Sequence, residues 1–269
     1  MKHILLPTDF SKNAWNAIHY GISLFEKEIC MFYVLHAYQT APSGPGSKFD
    51  SKKSLEETME KIHATTENPL HTFEKIMLMD VLSNAIRKTI MDKGIDYVIM
   101  GTKGSSAVKE IFMGSSAVTI LKKISSCPII LVPKAYKVEM PKEMVLLTNF
   151  KHFYEKKEVV PLLDIQQLGN STLLVVYIKE LSQLSEQQMA SKEILKRKLQ
   201  GTRHKFYTVE SFPSVSEVAH GLVKENRNIG LIAMLKSNHG FLRKLIREPV
   251  IKKIAFKTEV PFMVLPEIK

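Results

Sequence analysis

Short apolar runs alternate with longer segments of helical periodicity along most of this 269-residue chain. Ile4–Leu6, Cys30–Ala37, Asp96–Met100 and Pro128–Val132 are too short for buried helices, and they are rich in branched or aromatic residues, which indicates strands. Between the first two runs, apolar residues recur three and four positions apart from Ala14 to Phe25, as on a helix. Strands that are separated by helices favour a parallel sheet with right-handed crossovers. The first half is therefore predicted to be a doubly wound α/β domain of about five strands.

Local signals mark where several elements begin and end. Ser11 has the side chain and the position of an N-cap for the first helix. Gly94 follows a run of helical periodicity and is expected to end that helix. The remaining predicted elements of this half are helices over Ser51–Thr66, Leu82–Ile90 and Ser115–Ile124 and a short strand over Phe73–Met77.

The second half of the chain repeats the first. Residues 82–90 align with 215–223 at an offset of 133, whereas Leu5–Phe10 align with Val145–Phe150 at an offset of 140. The seven-residue difference matches a Pro/Gly-rich loop at 41–47 that has no counterpart in the second half. We interpret the chain as two tandem copies of one fold, comprising residues 1–138 and 139–269. The offset of 133 also aligns two prolines of each half, Pro128 with Pro261 and Pro133 with Pro266.

The composition excludes several classes of protein. Hydrophobic residues make up 45% and charged residues 24%, a balance typical of a globular protein and not of a disordered one. No apolar run approaches the roughly 20 residues of a membrane-spanning helix, and the N-terminus lacks the features of a secretory signal. The two cysteines, Cys30 and Cys127, are too few for a disulfide framework or a four-cysteine metal site. We therefore expect reduced, buried thiols, a cytoplasmic location and no metal site.

The positive charge is concentrated in the second half. The chain carries a formal charge of +11, and residues 141–269 hold +8 of it. A run of basic residues over Lys192–Lys205 is typical of a solvated helix face, since aromatic residues for base stacking are sparse there. The alternative interpretation is an interaction module for anions or nucleic acid.

One segment has the residue types that bind phosphate. Gly101 and Gly104 follow a predicted strand, and Gly114 precedes a predicted helix that opens with Ser115 and Ser116. Ligands of open α/β sheets bind at the carboxyl ends of strands, where glycines permit close approach of the backbone. Helix N-termini add unpaired amides and a positive dipole end. The alternative is that the glycines only form turns.

The spacing of this segment resembles the nucleotide-binding signature of the universal stress protein family. Two residues separate Gly101 from Gly104, nine separate Gly104 from Gly114, and Ser115 follows. The segment Ile4–Ser11 also looks like the family's first strand and following loop, and Pro128–Pro133 looks like its last strand. The resemblance covers the whole first half and, more faintly, the second.

The resemblance implies a fold, a ligand and a set of site residues. Each half would be a Rossmann-like domain with a five-stranded parallel sheet in the order 3-2-1-4-5 and helices on both faces. The ligand would be ATP or another adenine nucleotide, with Mg²⁺ as a further component. Asp9, with Pro7 and Thr8 before it, would hold the ribose or the adenine edge. Ala37 and Met100 would line the base pocket. The residues around the phosphates would be Gly101, Lys103, Gly104, Gly114, Ser115 and Ser116.

The second half departs from this pattern at the positions that would bind nucleotide. A glutamate at a phosphate position repels the ligand, and a proline removes an amide donor. We therefore expect the second half to lack nucleotide binding of the family type. The offsets pair Pro7 with Leu147, Asp9 with Asn149, Gly101 with Met234, Gly104 with Ser237, Gly114 with Arg247, Ser115 with Glu248 and Ser116 with Pro249.

These observations lead to a tandem stress-response protein as the main hypothesis. Its first half would bind the nucleotide, its second half would be a degenerate partner, and the two would pair within the chain, with a further homodimer as an option. Nucleotide binding would be read by a protein partner, while nucleic acid and membranes are not expected partners. No nucleophile, catalytic base or paired carboxylates are evident, so no catalytic residue is predicted. A slow Mg²⁺-dependent ATPase is the enzymatic alternative.

Overall fold

The computed structural model describes residues 1–39, 48–102, 114–179, 183–210, 215–237 and 259–267. The chain divides into two compact units, with the division between Lys134 and Ala135. Some positions singled out above lie outside the described residues, namely the loop 41–47 and Lys103, Gly104, Arg247, Glu248 and Pro249.

The N-terminal unit is a five-stranded parallel sheet in the order β3-β2-β1-β4-β5. This confirms the predicted fold class and strand order. Strands β1 and β4 are neighbours, and the direction of the chain along the sheet reverses between them, as at the ligand crevice of open α/β sheets. The elements are β1 (Lys2–Pro7), α1 (Lys12–Leu24), β2 (Cys30–Tyr38), α2 (Lys48–Thr65), β3 (His71–Met79), α3 (Leu82–Lys93), β4 (Tyr97–Gly101), α4 (Ser115–Lys123) and β5 (Ile129–Val132).

Buried strands and capped helices hold this unit together. Strands β4 and β5 are buried along their whole length, as expected for strands of a parallel sheet that is covered on both faces. Right-handed crossovers place α1 and α2 on one face and α3 and α4 on the other. Ser11 is the N-cap of α1 and its hydroxyl accepts the amide of Ala14, as predicted. Gly94 ends α3 in the left-handed conformation, which also confirms the prediction.

The C-terminal unit repeats the arrangement with strand order β10-β9-β6-β7-β8, again parallel throughout. Read from the opposite edge, the order is β8-β7-β6-β9-β10, which corresponds strand by strand to β3-β2-β1-β4-β5 of the N-terminal unit. Its elements are β6 (Glu143–Thr148), α5 (Lys156–Gly169), β7 (Thr172–Ile178), α6 (Glu186–Lys198), β8 (His204–Val209), α7 (Val215–Glu225), β9 (Ile229–Lys236) and β10 (Phe262–Pro266).

Strand pairing corrects the predicted alignment of β9. Glu143 of β6 pairs with Ile229, but Met144 pairs with Leu231, so the register passes over Gly230. In the N-terminal unit, Gly101 of β4 pairs with Val132 of β5. The counterpart of Val132 in the C-terminal unit is Leu265 of β10, and Leu265 pairs with Leu235 of β9. The position of Gly101 therefore corresponds to Leu235 and not to Met234. The offset is 134 along β9, because Gly230 adds one residue there.

Two further observations bear on the composition. In the part of the chain that is described, no helix is both long enough and apolar enough to cross a membrane. Cys30 and Cys127 are free and buried, as predicted, and burial raises the pKa of the Cys30 thiol to about 12 and raises that of Cys127 as well.

Candidate functional site

An open cleft of about 550 Å³ lies at the carboxyl ends of β1 and β4 in the N-terminal unit. It is formed where the sheet order reverses, so each wall comes from a different strand or helix end. The lining residues are Pro7, Thr8, Asp9, Ala14, His36, Ala37, Leu82, Met100, Gly101, Thr102, Ser116 and Ala117.

Most of the site residues that the sequence indicated lie together in this cleft. Those that line it are Pro7, Thr8, Asp9, Ala37, Met100, Gly101 and Ser116. Gly114 and Ser115 are adjacent along the chain but are not among the lining residues. The sequence reasoning missed Ala14, His36, Leu82, Thr102 and Ala117, although His36 and Thr102 are chain neighbours of predicted site residues.

A tight turn positions Asp9 at the mouth of the cleft. The amide of Phe10 donates to Thr8 Oγ1 at 3.0 Å, and the amide of Ser11 donates to Asp9 Oδ1 at 3.1 Å. Phe10 has a φ of 64°, which is rare for a residue with a large side chain. Asp9 therefore accepts a hydrogen bond that stabilises the turn and also lines the cleft. The N-cap of α1 is Ser11 and not Asp9.

His36 lies at the edge of the cleft and not in the core. Its Nδ1 is 2.9 Å from the carbonyl oxygen of Thr8, and its ring centroid is 4.3 Å from that of Phe10. Because a carbonyl oxygen only accepts hydrogen bonds, Nδ1 must carry a proton. In the neutral ring Nε2 is then an acceptor. Although the strand around it is apolar, the His36 side chain is half-buried near the end of β2.

Gly101 has a structural reason to be glycine. A Cβ atom at this position would lie 2.6 Å from Asn13 Nδ2 and 2.8 Å from Asn13 Cγ. The end of β4 therefore packs directly against the first turn of α1. The space that the missing side chain leaves is occupied by Asn13, not left open for a ligand.

The N-terminus of α4 supplies polar backbone groups to the cleft. Gly114 is the N-cap, has no capping side chain, and donates its amide to the carbonyl of Thr102 at 2.7 Å. Ser116 and Ala117, in the first turn of α4, line the cleft. No acidic residue lies in that first turn, so the positive end of the helix dipole is not offset there. This arrangement favours an anionic group in the cleft.

The C-terminal unit repeats the turn but has a different residue at the end of its fourth strand. The amide of Phe150 donates to Thr148 Oγ1 and that of Lys151 to Asn149 Oδ1, and Phe150 has a φ of 53°. Leu235 stands at the position of Gly101 and is buried. The two units therefore share the backbone scaffold of the cleft but differ in the residues that would line it.

Comparisons with known proteins relate the N-terminal half to one family. Residues 1–133 match the model of the universal stress protein family. Universal stress protein MJ0531 of Methanocaldococcus jannaschii is 27% identical over 144 residues, which cover 51% of this chain and 84% of that protein. A universal stress protein of Thermus aquaticus, encoded in a sulfhydrylase 3′ region, is 27% identical over 135 residues, which cover 49% of this chain and 98% of that protein.

The fold similarity extends over both halves. The crystal structure of a universal stress protein from Archaeoglobus fulgidus has a TM-score of 0.71 against this chain and covers 98% of both chains, at 16% sequence identity. A universal stress protein structure from Pseudomonas aeruginosa has a TM-score of 0.59 and covers 99% of this chain and 93% of its own, at 12% identity. At these identities the comparison shows the fold alone.

Proposed function

Because residues 1–133 make this chain a member of the universal stress protein family, we propose that its N-terminal unit binds ATP or a related adenine nucleotide. The bound state would then regulate the interaction of the chain with a protein partner. The observation that carries this proposal is the convergence of Pro7, Asp9, Ala37, Met100 and Ser116 on one cleft, although they come from four separate parts of the chain.

The lining of the cleft matches the chemical parts of a nucleotide. Ala37, Leu82 and Met100 offer apolar contacts for a purine ring. The carboxylate of Asp9 can accept hydrogen bonds from ribose hydroxyls. The first turn of α4 offers amides for a phosphate, assisted by the hydroxyl of Ser116. Lys103 and Gly104 are predicted to extend the phosphate site beyond the described residues.

The charged side chains of the cleft support nucleotide binding rather than rapid nucleotide hydrolysis. Among the described lining residues there is one carboxylate and one imidazole, and neither lysine nor arginine. Fast phosphoryl transfer requires cations that neutralise the charge developing on the phosphate oxygens. The proposed role is therefore that of a nucleotide-dependent regulatory protein.

Calorimetric titration of nucleotide-stripped full-length protein with ATP and Mg²⁺ tests this proposal. We expect one site per chain, and we expect Gly114→Arg to abolish binding because it places a bulky side chain at the N-cap of α4. Gly221→Arg is the matched control, since that glycine lies in α7 with open space around it. Both variants are first checked for wild-type circular dichroism.

Three results distinguish the alternatives. Binding that Gly114→Arg removes and Gly221→Arg retains supports the proposal. ADP release with the same dependence on Gly114 would instead indicate a slow ATPase. No heat and no thermal stabilisation up to millimolar ATP would contradict nucleotide binding altogether.

A further inference from the structure

Each unit has a buried threonine at the carboxyl end of its first strand, Thr8 or Thr148, and the two hydroxyls differ in their hydrogen bonds. Thr148 Oγ1 accepts the amide of Phe150 at 2.9 Å and the hydroxyl of Tyr154 at 2.8 Å. Its counterpart Thr8 is 6% exposed, and its Oγ1 accepts the amide of Phe10 at 3.0 Å. Within the described part of the chain, the Thr8 hydroxyl has no partner in the role of Tyr154. One hydrogen-bonding position of a buried hydroxyl is thus open in the N-terminal unit.

Thr8 also borders a second cavity, which we call the α1–α2 groove. It measures about 540 Å³ and lies between the start of α1 and the middle of α2. Thr8 lines both this groove and the cleft described above. The groove is lined by Thr8, Phe10, Ser11, Trp15, Ile18, Ser54, Glu57, Thr58 and Lys61.

The C-terminal unit fills the space next to its own turn. Ser11, the N-cap of α1, follows Phe10 directly, whereas Glu155, the N-cap of α5, comes five positions after Phe150. The four additional residues include Tyr154, whose side chain is 4% exposed. Burial raises the pKa of Tyr154 to about 12, so its hydroxyl remains a donor at neutral pH.

Helix α6 closes the same region from the other side. It follows β7 as α2 follows β2, and two of its side chains reach the segment after β6. Gln188 Nε2 donates to the carbonyl of Asn149 at 2.8 Å, and the Ser191 hydroxyl donates to the carbonyl of His152. In this unit, the buried Tyr154 side chain and the contacts from α6 therefore lie next to the turn whose counterpart in the N-terminal unit borders the groove.

The groove has the chemistry to receive an aromatic ring. Trp15 is half-buried, and Lys61 Nζ lies 3.7 Å from the centroid of its ring. Phe10 and Ile18 add apolar surface, while Ser54 and Thr58 add polar groups from α2. The lining is mixed, with the charged side chains Glu57 and Lys61 beside the apolar residues. Aromatic rings pack favourably against aromatic neighbours, and a phenol also supplies a hydroxyl that finds a partner when buried.

We propose that the α1–α2 groove is a ligand site for a phenol ring, whose hydroxyl donates to Thr8 Oγ1 as that of Tyr154 does to Thr148. The ring comes either from a free phenolic compound or from a tyrosine side chain of a partner. The groove shares Thr8 with the cleft proposed for the nucleotide, and its binding is therefore tested on nucleotide-free protein.

Trp15 lines the groove and is the single tryptophan of the chain, so its signal reports directly on binding in the groove. The experiment follows the indole N–H resonance of Trp15 in the full-length protein during titration with 4-methylphenol, the minimal analogue of a tyrosine side chain. We expect a saturable shift, with toluene binding about fivefold more weakly because it lacks the hydroxyl. Thr8→Val should bring 4-methylphenol to the affinity of toluene, and Thr8→Ser should restore the difference.

A matched pair of variants on α2 locates the site. Thr58 lines the groove and Thr65 does not, and each hydroxyl donates to a carbonyl one turn earlier in the helix. Thr58→Phe should abolish the shift by filling the groove, and Thr65→Phe should leave it unchanged. N-acetyltyrosinamide distinguishes the two possible origins of the phenol ring. If it binds the groove more tightly than 4-methylphenol does, the ring is that of a tyrosine from a partner. If it does not bind, the ring is that of a free phenolic compound.

Three results would overturn the proposal. They are the lack of a saturable shift with any probe, equal affinity for 4-methylphenol and toluene, and full binding by Thr58→Phe. None of them depends on whether the neighbouring cleft binds nucleotide.

Discussion

At the scale of single residues, Gly101 is a position where an added side chain would collide with a buried neighbour. Its missing side chain leaves room for Asn13, which is buried in the first turn of α1. Gly101→Ala would force a buried amide to move, and overpacking of this kind costs about 1–3 kcal/mol. We expect the urea midpoint of the N-terminal unit to fall accordingly. Trp15 in α1 reports the transition by fluorescence.

Gly221→Ala is the control for that substitution. This glycine lies inside α7, has a negative φ, and has no neighbouring atom within 4 Å of an added Cβ. Alanine stabilises a helix interior relative to glycine by about 0.5–1 kcal/mol, so Gly221→Ala should not lower any midpoint. A Gly101→Ala protein with an unchanged midpoint would show that Asn13 adapts without cost.

At the scale of elements, Gln188 joins a helix cap to a strand-end turn. Its amide N–H donates to the hydroxyl of Ser185, its Oε1 accepts the amide of Ser185, and its Nε2 donates to the carbonyl of Asn149. The first two bonds form a capping box at the start of α6. The third ties that helix to the turn after β6.

Two substitutions separate these roles. Ser185→Ala removes the cap alone, at a cost of about 1 kcal/mol, and should speed hydrogen exchange only in the first turn of α6. Gln188→Ala removes the other bond of the capping box and the Nε2 donor to the carbonyl of Asn149, so exchange should speed at the amides of Phe150 and Lys151 as well. Identical exchange patterns in the two variants would mean that the turn does not depend on α6.

The sequence predicted the elements better than their register. Alternating runs were sufficient for the elements of the first half, and Ser11 and Gly94 for two helix ends, because these features depend on local chemistry. The strand order was implied by the family resemblance and not by the local patterns. The extra residue in β9 was missed because its residues Ile229–Leu235 are all buried, and a strand that is buried on both faces has no alternation to define a register.

Many of the residues that line the cleft were predicted from the sequence, but the placement of His36 and the burial of Tyr154 were not. Glycine spacing and the segment after β1 indicated residues that do line it. His36 was missed because apolar neighbours along a strand do not show where that strand leaves the core. In the C-terminal unit, the burial of Tyr154 was also missed, because the four residues between Phe150 and the N-cap Glu155 form no periodic pattern that would indicate a buried side chain.

At the scale of the whole molecule, the two units share a backbone plan but should respond differently to a nucleotide. Both have the turn with a left-handed phenylalanine, at Phe10 and Phe150. Only the N-terminal unit has glycine at the end of its fourth strand, where the other unit has Leu235. We therefore expect ATP with Mg²⁺ to stabilise the N-terminal unit alone.

Hydrogen exchange with and without nucleotide measures this asymmetry within one chain. At 100 times the dissociation constant, a ligand adds about 2.7 kcal/mol to the free energy of unfolding of the unit that binds it. Amides of β1 and β4 that exchange through unfolding of that unit should therefore slow about 100-fold, while those of β6 and β9 should not change. Gly114→Arg should remove the protection. Equal protection of both units would show that Leu235 and its neighbours do not exclude a ligand, and the C-terminal unit would then have to be regarded as a second nucleotide site.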